Sequence, residues 1–185
     1  MRTNRVILPV IAGAICLLLS YSSAQSQEKV FTEYQVKSVF IYNFAKFVDW
    51  PQEAFRDDAS PVSVCILGED PFGGEMDLLL NKRARGRGFD IQRLEKFTNN
   101  DDLKSCHVLF VSKSEAGLVQ KVIKSVQGTG VLTVSDVDGF VESGGIIEFR
   151  MRENKVRLAI SLLASEQAGI KISAKLLKLA EVVKK

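Results

Sequence analysis

The residues of this chain that could carry out nucleophilic chemistry are few. His107 is the sole histidine, and it directly follows Cys106. A cysteine or serine nucleophile needs a base such as histidine within reach, and a disulfide at Cys106 would remove that thiol from such a role. A metal site would have to use carboxylates without a second histidine. The sequence therefore predicts a structural His107, no catalytic residue, no metal site and no cofactor.

Cys65 and Cys106 are the two cysteines outside the apolar N-terminal segment. An even count in an oxidising compartment favours a disulfide between them. In the chain-entropy model, closing a loop of about 40 residues stabilises a fold by roughly 4 kcal/mol. Two buried, inert thiols are the alternative. CxxC spacing is absent, so redox catalysis and zinc binding have little support.

The segment from Gly68 to Gly73 lies where a phosphate loop lies in a Rossmann-like sheet. It lacks the GxGxxG pattern, and no Gly-Lys-Ser/Thr follows. Glu69 and Asp70 would also repel a phosphate. A tight strand-to-helix turn is the favoured interpretation, and a crevice for a neutral or cationic small ligand is the alternative. Its candidate residues are Gly68, Glu69, Asp70, Phe72, Gly73 and Asp136.

The C-terminal segment combines an apolar sector with regularly spaced lysines. Its spacing predicts a final helix over Ser173–Val183. Core packing with a solvated lysine face explains this pattern, and contact with a partner protein explains it equally well. The candidate partner-binding residues are Ile170, Lys171, Lys175, Leu176, Lys178 and Leu179.

The elements that must position these residues alternate between strand and helix. We therefore predict an α/β fold with three layers, a Rossmann/flavodoxin-like and mostly parallel sheet with helices on both faces. An antiparallel β-hairpin and helices follow at the C-terminus, with Ser114 capping the helix before the fourth strand. If the sheet is ordered 2-1-3, the strands that hold Cys65 and Cys106 are neighbours. The predicted strands are 61–67, 89–94, 106–111 and 130–134, and the hairpin covers 146–151 and 155–160.

The first predicted helix, Thr32–Val48, has apolar residues on most of its surface. A stripe recurs at spacings of three and four, and further apolar side chains lie off it. Such a helix is either deeply buried or has a second partner surface. The stripe comprises Val36, Val39, Phe40, Asn43, Phe44 and Phe47.

The N-terminus has the pattern of a secretory signal peptide. Arg2 and Arg5 precede the apolar run Val6–Leu19, and small residues end at Ala24, where we expect cleavage. The run is shorter than the about 20 residues that span a bilayer, although a retained anchor is the alternative. Residues 1–24 are thus predicted to be removed, which leaves residues 25–185 as one exported, soluble domain without a membrane span.

The charge balance of the predicted mature chain is close to neutral. The leader holds two of the 25 basic residues and none of the 22 acidic ones, so the balance is +1. A value this small argues against a nucleic-acid partner held by bulk charge. Export also removes the chain from the cell's ATP and NAD.

Three stretches together resemble the YfiR family of exported bacterial proteins. They are Tyr34–Pro51 (YQVKSVFIYNFAKFVDWP), Val64–Gly73 (VCILGEDPFG) and Ala168–Val183 (AGIKISAKLLKLAEVV). The resemblance implies a periplasmic α/β domain that forms a homodimer and carries a structural disulfide. It also implies a repressor that binds the periplasmic part of an inner-membrane diguanylate cyclase, lowering cyclic di-GMP and biofilm growth. Ala159 and Ser161 replace a Glu and an Asn common in relatives.

Two hypotheses of function follow from the sequence. The leading one is a non-catalytic periplasmic regulatory protein that acts by binding the cyclase. The alternative is a periplasmic small-ligand-binding protein that uses the crevice at the carboxyl ends of the parallel strands.

Overall fold

The computed structural model describes residues 31–98 and 102–184. These residues belong to one compact unit, Phe31–Lys185. The predicted signal peptide, residues 1–24, lies outside the described residues. Within the described part, no helix has both the length and the apolar character that a membrane crossing requires.

The first helix, α1 (Glu33–Phe47), begins at a capping box. Thr32 Oγ1 accepts a hydrogen bond from the Gln35 N–H at 3.3 Å, and Gln35 Oε1 accepts one from the Thr32 N–H at 2.9 Å. Together they satisfy two amide groups that the first turn of a helix leaves without partners. The chain leaves the helix through strand β1 (Val48–Asp49) and Pro51.

The buried face of α1 differs from the predicted stripe. Val39 is 56% exposed, whereas Lys37, Ile41 and Ala45 are buried with Phe44. Apolar residues occupy nearly every side of this helix, so hydrophobicity alone could not select the inner face. Lys37 points inward because its ammonium group pairs with the buried carboxylate of Asp136.

Seven strands form the main sheet, in the order β3-β2-β4-β5-β6-β7-β9. The pairs β2–β3, β2–β4, β4–β5, β5–β6 and β7–β9 are parallel, and β6–β7 is antiparallel. A separate two-stranded ribbon pairs β1 with β8. The strands are β2 (Val62–Leu67), β3 (Phe89–Leu94), β4 (Val108–Val111), β5 (Leu132–Ser135), β6 (Ile147–Arg152), β7 (Lys155–Ser161), β8 (Lys171–Ile172) and β9 (Ala180–Val183).

The α/β prediction and the 2-1-3 strand order are confirmed, because β2 lies between β3 and β4. The structure contains a disulfide between Cys65 in β2 and Cys106 just before β4, with the two Cα atoms 5.8 Å apart. Both cysteines are buried. The bridge therefore joins β2 to the start of its neighbour β4 inside the core.

Helices cover both faces of the sheet. Helix α1 packs on one face, and Val119, Val122 and Val126 of α3 (Val119–Val126) are buried against the other. The remaining helices are short: α2 (Gly74–Asp77), α4 (Leu162–Gln167) and α5 (Ala174–Leu177). Single 3-10 turns at 52–54, 78–81, 103–105 and 113–118 complete the connections.

Ser114 does not cap the helix as predicted. It lies inside the 3-10 turn Lys113–Leu118, and its hydroxyl accepts a hydrogen bond from the Glu69 N–H at 2.9 Å. The residue that precedes this turn is Ser112. Ser114 therefore joins the loops that follow β2 and β4.

The predicted hairpin is present as β6 and β7, with the two-residue turn Glu153–Asn154. Both turn residues have positive φ, 51° and 57°, as the tight turns that suit a twisted hairpin require. The hairpin continues the main sheet, because Val134 and Ser135 of β5 pair with Ile147 and Glu148 of β6.

The predicted final helix over Ser173–Val183 is wrong. Ser173 Oγ caps only the single turn α5, and the chain then forms the edge strand β9 parallel to β7. Val182 and Val183 suit a strand, since β-branched side chains pack well on a pleated surface. The unpaired backbone of β7 provides a partner that the sequence pattern does not reveal.

A glycine at the end of β2 is required by close packing. Gly68 has φ +91°, and a Cβ atom there would lie 2.3 Å from Ser114 Oγ and 2.8 Å from Glu115 Cγ. We predict that Gly68→Ala lowers the free energy of unfolding by about 2–4 kcal/mol, measured by urea titration. Gly74→Ala is the matched control, because nothing lies within 4 Å of its added Cβ. Equal effects of the two variants would contradict this account.

Candidate functional site

The loops after β2, β4 and β5 meet at one edge of the sheet, as the parallel topology requires. Gly68 follows β2, Ser112 follows β4 and Asp136 follows β5. The N-terminal turn of α1 also reaches this edge. The structure thus brings several predicted crevice residues together, with two α1 side chains that the sequence analysis did not select, Tyr34 and Lys37.

Asp136 is the centre of a buried charged cluster. Its Oδ2 accepts hydrogen bonds from Lys37 Nζ at 2.6 Å and from the Tyr34 hydroxyl at 2.9 Å. Lys37 Nζ also lies 2.5 Å from Glu33 Oε1 and 4.3 Å from the centre of the Tyr34 ring. We call Glu33, Tyr34, Lys37 and Asp136 the Asp136 cluster. It ties the first turn of α1 to the end of β5.

Burial makes this ion pair costly to break. Lys37 is 0% exposed and Asp136 is 3% exposed, so each charge has given up most of its hydration and depends on the other. Burial and the hydrogen bond to Asp136 both raise the pKa of Tyr34, which keeps its hydroxyl protonated as a donor. Asp136 Oδ1 is buried without a hydrogen-bond partner within the described residues.

Phe72 closes the crevice beside the cluster. It is 4% exposed, and its ring packs edge-on against Tyr34 at 5.4 Å and Phe110 at 4.7 Å. A ligand that reached Asp136 would have to displace the Tyr34 and Phe72 rings.

The other predicted crevice residues lie at the rim. Asp70 Oδ1 accepts from the Phe72 N–H at 2.8 Å, and its Oδ2 accepts from Arg93 Nε at 2.7 Å. Glu69 is exposed, and Gly73 has φ +54° at the entry to α2. These contacts set the shape of the loop.

The predicted partner-binding residues divide into two groups. Ile170 and Leu176 are only 2% and 1% exposed. They are core residues and are therefore not part of the candidate partner surface. The remaining four side chains are exposed. We call Lys171, Lys175, Lys178 and Leu179 the C-terminal lysine surface.

Leu179 and its lysine neighbours differ from an ordinary solvated face. Leu179 is 63% exposed, and Lys175 and Lys178 are three residues apart around α5, which places them on the same side. No ion pair within the described residues engages either ammonium group. An exposed apolar side chain thus lies close in sequence to two lysines without an ion-pair partner among the described residues.

A second charged cluster, which the sequence analysis missed, joins β6 to β9. Arg150 contacts Glu148 at 2.8 Å, Glu142 at 2.7 Å and Glu181 at 3.3 Å. Arg150 lowers the pKa of Glu142, and the hydrogen bond that Arg150 donates to Glu148 raises the pKa of Arg150. Alternation of charge along β6 was visible in the sequence, but its β9 partner lay in the segment predicted as a helix.

His107 is fully engaged in the fold. Its Nδ1 accepts from the Ser63 N–H at 3.0 Å, and its Nε2 lies 3.0 Å from the Ala54 carbonyl oxygen, to which it donates. The Phe55 ring stacks on the imidazole at 4.1 Å, and Trp50 packs edge-on against it at 6.2 Å. The hydrogen bonds of His107 and the disulfide of the two cysteines therefore hold these residues within the fold. Over residues 31–98 and 102–184, no three His, Cys, Asp or Glu side chains form a group suited to a metal ion.

Comparison with known proteins gives a family and a related fold. Residues 34–181 match the model of a family described as YfiR/HmsC-like. The fold is similar to the crystal structure of a conserved domain protein from Vibrio cholerae O1 biovar El Tor strain N16961, with a TM-score of 0.50 and 14% identity. That match covers 83% of this chain and 61% of the other, so this chain spans less than two thirds of that protein. The likeness shows the fold alone. No curated protein matches this chain.

The buried ion pair gives a test on stability. We predict that Lys37→Met lowers the free energy of unfolding by about 3–5 kcal/mol, because it leaves the Asp136 carboxylate buried without a counter-charge. Adding Asp136→Asn should recover at least half of the loss. Lys46→Met, at an exposed lysine of the same helix, is the control in the same denaturant titration. If the double variant is less stable than Lys37→Met alone, the pairing argument is wrong.

His107 gives a test on pH dependence. Burial, with a smaller contribution from Arg87, lowers the pKa of His107 below its ordinary value of 6.5. The unfolded chain therefore binds a proton at His107 more readily than the folded protein does. The free energy of unfolding is highest above pH 6.5, the pKa of an unburied histidine, and falls as the pH drops towards the lower pKa of the folded state. Urea titrations between pH 7.5 and 5.5, followed by fluorescence of the sole tryptophan, Trp50, measure this loss. His107→Gln should flatten the dependence across this range, and an unchanged slope would contradict the assignment.

Proposed function

Because this chain belongs to the YfiR/HmsC-like family, we propose that it is a non-catalytic periplasmic regulatory protein that represses a membrane-bound diguanylate cyclase. It binds the periplasmic part of the cyclase, as a homodimer, and lowers cyclic di-GMP signalling and biofilm growth. The observation that carries the proposal is the family match over residues 34–181, nearly the whole described domain. Export through the predicted signal peptide would place the chain in the periplasm.

The chemistry of the described residues supports action by binding. Both ring nitrogens of His107 are in hydrogen bonds, and Cys65 and Cys106 form a disulfide. The groups best suited to nucleophilic or acid–base catalysis are thus used to hold the sheet together. A regulator of this kind acts by binding the inactive state of its target more tightly than the active state.

The C-terminal lysine surface is the docking site that we propose for the cyclase. Lys171, Lys175 and Lys178 present positive charge around Leu179, which suits a partner with acidic residues around an apolar contact. Strand β8 holds Lys171 through its pairing with β1, and Ser173 caps the turn that carries Lys175. These side chains therefore project from fixed backbone.

The crevice is a second candidate function, supported by one observation. Asp136 Oδ1 is a buried carboxylate oxygen without a hydrogen-bond partner among the described residues, and it would accept a hydrogen bond from an amine or hydroxyl of a small ligand. Movement of Tyr34 and Phe72 would open the path. Tyr34→Ala should then strengthen binding of such a ligand, which a thermal-shift screen would detect as a rise in the unfolding temperature.

Charge reversal tests the proposed docking site. We predict that Lys175→Glu with Lys178→Glu weakens binding to the periplasmic domain of the cyclase about tenfold or more, since like charges across an interface repel. Cyclic di-GMP in cells carrying this variant should rise to the level of a deletion strain. Binding is measured by titration of the purified domains.

The matched control is Lys104→Glu with Lys113→Glu, two exposed lysines elsewhere on the surface. Both double variants should unfold at the same temperature as the parent protein. If the control weakens binding as much as the test variant, the surface is wrongly assigned. If deletion of the gene leaves cyclic di-GMP unchanged and no cyclase domain binds, the proposed function itself is wrong.

A further inference from the structure

A cavity of about 430 Å³ lies between α3 and α4, near the amino ends of β5 and β6. It is separate from the crevice, which lies at the carboxyl ends of the strands. This volume is within the range of small-molecule binding sites in proteins, about 300–1,000 Å³. A neighbouring cavity of about 390 Å³ shares Gly144, Ala164 and Gln167 with it and extends the space towards Leu163.

The floor of the α3–α4 cavity is apolar and belongs to the core. Val126, Val131 and Ile146 are at most 3% exposed, and Ala164 and Ala168 are 8% and 9% exposed. The space exists because α4 presents alanines where larger side chains would fill the gap between the helices. An apolar group bound here would leave water and contact side chains that are already buried.

The rim of the α3–α4 cavity carries positive charge, and the carboxylate that lines the neighbouring cavity, Glu142, is paired with Arg150. Lys121 and Lys124 line the α3–α4 cavity, three residues apart on one side of α3, and no Asp or Glu is among its lining residues. Within the described part of the chain, neither lysine takes part in an ion pair. An anionic group at the mouth would therefore be attracted without competition from an internal carboxylate.

A buried hydroxyl inside the cavity has an unused hydrogen. Thr133 is 4% exposed, and its Oγ1 accepts a hydrogen bond from the Ile146 N–H at 3.0 Å. A hydroxyl can both accept and donate, and the structure shows no acceptor for the Thr133 hydrogen among the described residues. A buried donor of this kind costs free energy until an acceptor reaches it.

We propose that the α3–α4 cavity binds a small organic anion with an apolar body, such as a medium-chain carboxylate. The apolar body packs on Val126, Ile146 and Ala164, and the carboxylate lies at the mouth with Lys121 and Lys124. A polar oxygen that extends from the ligand towards Thr133 completes the hydrogen bond of its hydroxyl. This site is independent of the proposed cyclase contact and of the Asp136 crevice.

Octanoate and octanamide form a matched pair of probes, because they share the chain and differ in charge. Octanoate should bind the purified, disulfide-bonded protein about three- to tenfold more tightly than octanamide, the range expected for exposed ion pairs. This preference should shrink as salt is added. Amide resonances of Gly128 and Gly144, which line the cavity, should shift in nitrogen–proton correlation spectra and locate the site.

Variants test the contribution of the lysine charges separately from that of the cavity volume. Lys121→Gln with Lys124→Gln should abolish the preference for octanoate and leave octanamide binding unchanged, while Lys104→Gln with Lys113→Gln should alter neither. Ala164→Met should fill the cavity and weaken both probes. Since a core variant can fail to fold, each variant is first compared with the parent by thermal unfolding, and the lysine pair alone is sufficient to decide.

Three outcomes would overturn the proposal: no octanoate binding at millimolar concentration, equal binding of the two probes, or shifts confined to residues outside the cavity. Occupation of the cavity by a peptide but not by octanoate would also overturn it. If the parent protein binds octanoate but no cyclase domain, the proposed function is wrong and the cavity proposal still holds.

Discussion

The buried pair of Lys37 and Asp136 is the interaction on which the arrangement of this domain depends. One charge comes from the first helix and the other from the end of β5, about 100 residues later in the chain, and neither is hydrated. Each is stable inside only if the other is in place. The pair therefore fixes the position of α1 over the strand ends, and Tyr34 and Phe72 then close the crevice. The disulfide and the Arg150 cluster hold other parts of the same sheet.

The central sheet could be predicted from the sequence because its strands are short apolar runs separated by turns. Parallel strands buried on both faces show this pattern, and the 2-1-3 order of α/β sheets predicts that Cys65 lies beside Cys106. The hairpin was equally readable, since Arg152-Glu153-Asn154 separates two alternating runs. The family resemblance and the fold agree with each other.

The parts that could not be predicted depend on partners distant in sequence. Lys37 is inward because of Asp136, although nothing within α1 distinguishes it from the exposed Lys46. Val182 and Val183 are in a strand because β7 offers an unpaired edge, although their spacing also suits a helix. Ile170 and Leu176 are buried because they pack with residues from other parts of the sequence. The predicted crevice residues meet at the strand ends, but they are covered by a helix whose inner face the sequence left ambiguous.

Segments from opposite ends of the domain meet in the two-stranded ribbon, and β9 completes the edge of the main sheet. Val48 of β1 pairs with Ile172 of β8, and β9, the last of the described strands along the chain, borders β7. Contacts between residues so far apart in sequence form slowly. A chain in which β9 has not yet formed leaves the edge of β7 open. The domain therefore reaches its native topology late in folding, and until then the open edge of β7 can pair with a strand of another chain.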